Sequence, residues 1–263
     1  MNYKLINCEQ LLKKITKKDE LFNGVYCIDP YQNCEFGCSY CDSSFDKTIY
    51  IKNNSDKILE SELKKTKKGT IIIGSVHDPY QKAEEKYKIT KKILEVIKKC
   101  DFPCHILTKS GLILRDLKIL KSLDCRITIS ILSINETISN IFEKNVISPK
   151  RRLQILKILK NNNITSGIAL IPILPYIIDD ELEDILKTAK NHNADYLVYK
   201  HLELKGEQKI YFFNLLKKQY PDLIKKYKNI YEGKIKPDNI FTENYDLKIK
   251  NLKTKYKLDN KTV

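Results

Sequence analysis

Six short runs of aliphatic and β-branched residues recur along the chain with helix-forming stretches between them, and this alternation restricts the fold more than any other feature. The runs are 24–29 (GVYCID), 70–75 (TIIIGS), 104–109 (CHILTK), 126–131 (RITISI), 165–171 (TSGIALI) and 195–200 (DYLVYK). Their apolar residues run on without polar alternation, as expected of strands covered on both faces. Between them, 55–65, 90–98, 114–120, 149–159 and 179–190 read as helices, with Ile93, Leu94 and Ile97 on one face of the second. Strand and helix in strict alternation demand parallel strands joined by right-handed crossovers, so the expectation is an α/β fold, either a doubly wound sheet or a barrel. No linker rich in Gly, Ser or Pro interrupts 24–200, which predicts one domain there.

The flanks read differently. Residues 8–18 predict a short helix with Asn7 as N-cap and Gln10 as its capping-box partner, an N-terminal unit spanning 1–23. Two closing helices are predicted at 207–218 and 221–231, and 232–263 reads as a weakly ordered C-terminal extension. A chain of 263 residues buries a core without metal or disulfide staples, and 42% apolar with 31% charged residues excludes a disordered or low-complexity chain. The longest apolar stretch, 164–178, is broken by Pro172 and Pro175 and is too short to span a bilayer, and the start MNYKLINCEQ lacks the apolar core of a signal peptide. The expectation is a cytoplasmic protein with no membrane partner.

Cysteines in that compartment stay reduced, so clustering of the 8 present points to metal or catalysis. Cys34, Cys38 and Cys41 stand in CEFGCSYC, just after the first strand and a turn at 29–33. Zinc fits poorly, because structural zinc sites close four ligands and no second cysteine pair follows. An odd number argues against a disulfide. Iron and sulfur fit best: three thiolates hold three irons of a cubane and leave the fourth open to a ligand that is not protein. The charge is a separate signal. The net charge is +15, and all but Arg115, Arg126, Arg151 and Arg152 of the 48 basic residues are lysines. Such a surplus suits nucleic acid, DNA or RNA, and equally suits a solvated lysine surface.

C-x3-C-x2-C after the first strand of a βα repeat resembles the signature of the radical S-adenosylmethionine (radical SAM) superfamily. The resemblance implies a partial barrel of about six βα units, a [4Fe–4S] cluster and S-adenosylmethionine as cofactors, and an external electron donor. It also implies an activity, reductive cleavage of S-adenosylmethionine to a 5′-deoxyadenosyl radical that takes hydrogen from a substrate. DPYQNCEFGCSYC, IGSVHDPYQ (73–81), LTKS (107–110) and IPILPYIIDD (171–180) are similar to the spore photoproduct lyase branch, often described as DNA repair photolyase-like, over residues 24–231. By position, that resemblance puts Tyr40 against the adenine, Lys109 and Ser130 on the carboxylate or ribose, the backbone at Ile171 on the base, and Asp78 and Ser75 beside them. These positions end or follow strands, where barrel chemistry gathers.

One position departs from the branch. Ser75 stands where spore photoproduct lyase carries the cysteine that returns a hydrogen atom to the product radical, and an O–H bond is too strong for that task. Cys27, near the end of the first strand, is the remaining thiol candidate, although a small core cysteine is the plainer reading. Of the histidines, His77 caps a loop, while His105, His192 and His201 have no metal-like spacing and read as structural; Tyr80, Tyr87 and Phe102 read as packing. Two alternatives stand beside a nucleic-acid-directed enzyme: a non-catalytic iron–sulfur nucleic-acid-binding protein, and a radical SAM enzyme for a small molecule or peptide. The sequence leaves the oligomeric state open.

Overall fold

The computed structural model describes residues 1–258. Its strands are β1 (Asn2–Ile6), β2 (Lys13–Lys14), β3 (Tyr26–Ile28), β4 (Tyr31–Gln32), β5 (Thr48–Lys52), β6 (Ile71–Ile73), β7 (Cys104–Thr108), β8 (Cys125–Ser130), β9 (Thr165–Ile173) and β10 (Leu197–His201). The helices are α1 (Ser55–Leu63), α2 (Ala83–Tyr87), α3 (Ile89–Cys100), α4 (Leu117–Leu120), α5 (Glu136–Phe142), α6 (Pro149–Asn161), α7 (Leu182–Asn191), α8 (Gly206–Gln219), α9 (Leu223–Tyr231) and α10 (Asn239–Tyr256).

The six expected runs supply the parallel strands β3, β6, β7, β8, β9 and β10, which pair with one another in chain order. A doubly wound sheet reverses its strand order part-way; this one never does, and curls into a half-barrel. Alternate residues divide between its faces. Ile71, Ile73, Ile106, Ile127 and Ile129 pack into the main core beneath the helices, whereas Ile72 and Ala169 face the barrel interior with Phe22, Tyr196 and Val198. The floor of the interior is a polar knot: His105 Nε2 lies 2.6 Å from Thr128 Oγ1, which lies 2.8 Å from the Tyr196 hydroxyl, and the Phe22 ring closes on His105 at 4.6 Å.

Both flanks correct the sequence expectations. The N-terminal segment forms no helix at 8–18: β1 pairs in parallel with β5, and β2 pairs antiparallel with β3. Tertiary partners outbid the capping box. The Asn54 side chain takes the Cys8 N–H and donates to the Cys8 carbonyl, both at 2.9 Å, and the Glu62 carboxylate accepts from the N–H groups of Leu11 and Leu12. At the other end the extension folds into α10 instead of remaining loose. Asp238 caps it by accepting from Phe241 N at 2.8 Å, and Tyr245, Ile249 and Leu252 bury its apolar stripe, with α7 among its neighbours. Residues 259–263 of that expected extension lie outside the described residues. The hairpin of β4 and β5, joined by β1 into a second sheet of order β1-β5-β4, had no counterpart in the sequence reading.

Candidate active site

The cysteine loop connects β4 to β5 and crosses the C-terminal rim of the sheet. Gly37 sits at φ +65°, the left-handed region that glycine enters freely, and reverses the chain between Cys34 and Cys38. Cys34 N donates to Ser43 O at 2.9 Å, which draws the loop's ends together. Distant segments supply the other anchors. Gln81 accepts from Glu35 N and donates to Asn33 O, each at 3.0 Å; Asn145 donates to Glu35 O at 2.9 Å; Gln208 of α8 donates to Tyr40 O at 2.8 Å. Cys38 forms an isolated antiparallel bridge with Glu143, and Ser39 N donates to Phe142 O at 2.9 Å. The barrel therefore fixes the backbone that carries the thiols.

Cys34, Cys38 and Cys41, all free thiols, line one cavity of about 410 Å³ at the strand ends. Tyr40, Ser75, Asp78, Lys109, Ser130 and Ile171 line the same cavity, so every sequence-predicted site residue except Cys27 meets there. Cys27, on the neighbouring strand β3, is not among the lining residues, and burial raises its thiol pKa. Gly74, at φ +88°, permits the close approach of the β6 and β7 ends, since a Cβ there would sit 2.6 Å from Leu107 O.

The polar side chains form two linked sets. Asp78 spends both carboxylate oxygens on the neighbouring strand end: one accepts from Thr108 Oγ1 at 2.7 Å and Tyr80 N at 2.9 Å, the other from Lys109 N at 2.7 Å. It therefore fixes where Lys109 leaves the backbone. The second set centres on Glu143, a buried carboxylate that the sequence reading missed. The Tyr40 hydroxyl donates to it, Arg152 NH2 lies 2.7 Å away, and Lys109 Nζ is at 4.0 Å. Arg152 also donates to Ser130 O at 2.8 Å and to Ser139 Oγ at 2.9 Å. No motif marks Glu143, because its partners come from three separate βα units; a glutamate beside Phe142 at the end of α5 is the sole local feature. Burial disfavours charge on Lys109, but Cys38, Glu143 and Asp78 outweigh it and raise its pKa above the ordinary value. Its ammonium also stands 5.9 Å from the centroid of the Tyr40 ring. Burial, with Asp78 next, pushes the Cys34 thiol up to about 12, and burial likewise raises Cys38.

A cluster that takes one thiolate per iron fits this donor set. Three unpaired thiols face a common cavity, with Lys109 favouring the thiolate of Cys38 against its burial, while among the described residues no three His, Cys, Asp or Glu side chains form a site for a single metal ion. The histidines fall out differently. His77 N and Val76 N bond to Asp29 Oδ1, holding the loop after β6, and His105 belongs to the interior floor. His192 closes the end of α7, but His201 lines the cavity wall.

Residues 28–189 match the radical SAM superfamily. The chain belongs to that superfamily. Its members are enzymes that use a [4Fe–4S] cluster and S-adenosylmethionine, which sets aside the non-catalytic alternative. An uncharacterized protein of Methanocaldococcus jannaschii is 29% identical over 240 residues, covering 84% of this chain and 86% of its own length. One from Mycobacterium tuberculosis is 24% identical over 246 residues, covering 85% and 72%. Among solved structures, a spore photoproduct lyase mutant with bound S-adenosylmethionine and dinucleoside spore photoproduct superposes with a TM-score of 0.66 at 17% identity, over 83% of this chain and 66% of that one. Streptococcus suis SuiB bound to S-adenosylmethionine gives 0.56 at 14% identity, over 76% and 47%. The chain thus spans about two thirds of the length of the lyase it matches. Among the described residues no helix is long and apolar enough to cross a membrane.

Proposed function

We propose that this radical SAM enzyme acts on nucleic acid in the manner of the spore photoproduct lyase branch, with Cys34, Cys38 and Cys41 as ligands of its cluster. The observation that carries the reading is the convergence of these thiols with Tyr40, Lys109, Ser130 and Ile171 on one cavity. Bound there, the cluster supplies the electron that splits S-adenosylmethionine to the 5′-deoxyadenosyl radical. The chain supplies position and exclusion of water. Lys109, held charged, meets the cofactor carboxylate; the Tyr40 ring, fixed through its hydroxyl to Glu143, offers a face to the adenine. Ser130 and the backbone at Ile171 complete the pocket, Ser75 borders it, and Asp78 acts by placing Lys109.

A net charge of +15 supports a polyanionic substrate, and the likeness to a lyase solved with a dinucleoside supports one built of nucleosides. SuiB, solved with a precursor peptide, supports a peptide substrate as the second reading. The deciding experiment is anaerobic reconstitution with iron and sulfide, then dithionite and S-adenosylmethionine, followed by dinucleoside spore photoproduct. Release of 5′-deoxyadenosine is expected. Because Ser75 replaces the hydrogen-returning thiol, clean repair to two thymines is not expected unless Ser75→Cys is introduced. Stoichiometric repair by the unaltered protein would transfer that role to Cys27, on the strand paired with the one that leads to Ser75. Absence of 5′-deoxyadenosine under all conditions would refute the reading.

A further inference from the structure

The buried pair of Glu143 and Arg152 has a place in the fold that stability does not explain. Both side chains are fully buried, and a buried ion pair generally contributes no more stability than well-packed apolar side chains of similar volume. Its neighbours set it apart. Glu143 forms the isolated antiparallel bridge with Cys38, and its Oε1 lies 4.0 Å from Lys109 Nζ. The Lys109 side chain is only 16% exposed. An anion and a cation, both withdrawn from water, therefore act on one of the three cavity thiols, and burial spares them most of the screening that surface charges undergo. Their actions are opposed: Lys109 favours negative charge on the Cys38 sulfur and Glu143 disfavours it. Arg152 pairs with Glu143 at 2.7 Å, yet the charges felt most at Cys38 are those of Lys109 and Glu143.

Reducing an iron–sulfur cluster by one electron adds one negative charge to it. The potential of that step follows the net charge around the cluster, the hydrogen bonds to its sulfurs and its exposure to water. Three features of this chain oppose the added electron. Cys34 and Cys38 are buried, so their surroundings are poor in water. The Tyr40 hydroxyl, two residues on from Cys38, donates to Glu143 and so is spent on a carboxylate instead of a thiolate. The Glu143 carboxylate itself resists further negative charge beside it. Lys109 is the counterweight, since its ammonium favours that charge.

We propose that Glu143 and Lys109 set the reduction potential of the cluster in opposite senses: the carboxylate makes the added electron costlier and the reduced cluster a stronger reductant, while the ammonium eases reduction. This rests on the assignment of Cys38 as a cluster ligand made above. It gives the buried carboxylate a use in the chemistry, because the electron that the cluster releases is the one that splits S-adenosylmethionine, and it gives Lys109 a second role beside the cofactor carboxylate.

The test uses the full chain, reconstituted anaerobically with iron and sulfide and titrated with dithionite in the absence of S-adenosylmethionine. Electron paramagnetic resonance counts the reduced cluster at each poise. Dithionite supplies one electron per cluster, and no bond is made or broken. Glu143→Gln keeps an oxygen to accept from Tyr40 and removes only the charge. It is expected to raise the reduced-to-oxidised ratio at a given poise at least tenfold, an upward shift of about 59 mV for one electron. Lys109→Gln is expected to lower that ratio at least tenfold. Glu143→Asp, which keeps the charge, is expected to stay within threefold of the unaltered protein, as is Lys98→Gln in the exposed last turn of α3. General damage to the site would move Glu143→Gln and Lys109→Gln in the same direction, so unshifted potentials or shifts of one sign would overturn the proposal. Should Glu143→Gln fail to assemble a cluster, Lys109→Gln decides: a lowered ratio supports the proposal and an unchanged one overturns it. An intact cluster in Cys38→Ala would remove the assignment on which the proposal rests, and the proposal with it. Loss of the cluster in Cys38→Ala beside unshifted potentials in the other variants would remove the tuning and leave the assignment standing.

Discussion

On the proposed assignment, Cys34, Cys38 and Cys41 have no substitutes, because a cubane takes one thiolate per iron and no other thiol lines the cavity among the described residues. Alanine at any one of them is expected to abolish the visible iron–sulfur absorbance and 5′-deoxyadenosine release together. Cys8, Cys100, Cys104 and Cys125 lie away from the rim, and their alanine variants are expected to keep both. Iron analysis and chromatography on the same preparations check this. Lys109→Ala is expected to weaken S-adenosylmethionine roughly ten- to a hundredfold with iron content unchanged, the loss of one charge-assisted hydrogen bond. Equal dissociation constants, measured anaerobically, would return Lys109 to a purely structural place. Arg152→Met leaves Glu143 a buried anion without its closest cation and is expected to cost about 3–5 kcal/mol in urea unfolding of the cluster-free protein. The motifs placed Lys109 in the site without any structure, since it ends a strand whose pattern is plain. Glu143 and Arg152 carry no such mark: they matter through partners far away in the chain.

At the level of elements, the six parallel strands of the main sheet were legible because burial on both faces forces continuous apolar runs that turn and helix residues interrupt, whereas the hairpin of β4 and β5 was not. Nor were the terminal segments. In α10 the stripe of Phe241, Tyr245, Ile249 and Leu252 follows helical spacing, but the lysines around it give the same composition as a solvated tail, and what orders it is burial beside α7. Ile249 is fully buried, so Ile249→Ala is expected to destabilise the fold by about 2–5 kcal/mol, read as a lower urea midpoint. An unchanged midpoint would mean that α10 is not part of the cooperative unit. In the N-terminal segment, local capping chemistry competed with Asn54 and Glu62, and partners fixed on a folded helix prevailed over a cap that organises one turn.

For the whole molecule, the buried floor of the barrel makes acid stability predictable. Burial lowers His105 from an ordinary 6.5 to about 3. Below pH 6.5 the unfolded chain takes a proton that the folded chain refuses, so stability falls as pH drops through the window from 6.5 to 3. His105→Gln removes that proton uptake, and its urea midpoint is expected to fall less between pH 7 and pH 4.5 than that of the unaltered protein. Parallel profiles would show that the ring accepts a proton in place. What the sequence by itself determined was the six parallel strands of the main sheet, their α/β order and the cysteine triplet, because each is written in neighbouring residues: periodicity, spacing and turn chemistry act over a few positions. What only the tertiary structure decided was the extended N-terminus, the second sheet of β1, β5 and β4, the ordered α10 and the buried pairing of Glu143 with Arg152. Each depends on groups from remote segments meeting across the curled sheet, where their burial and charge are set by one another and by no local pattern.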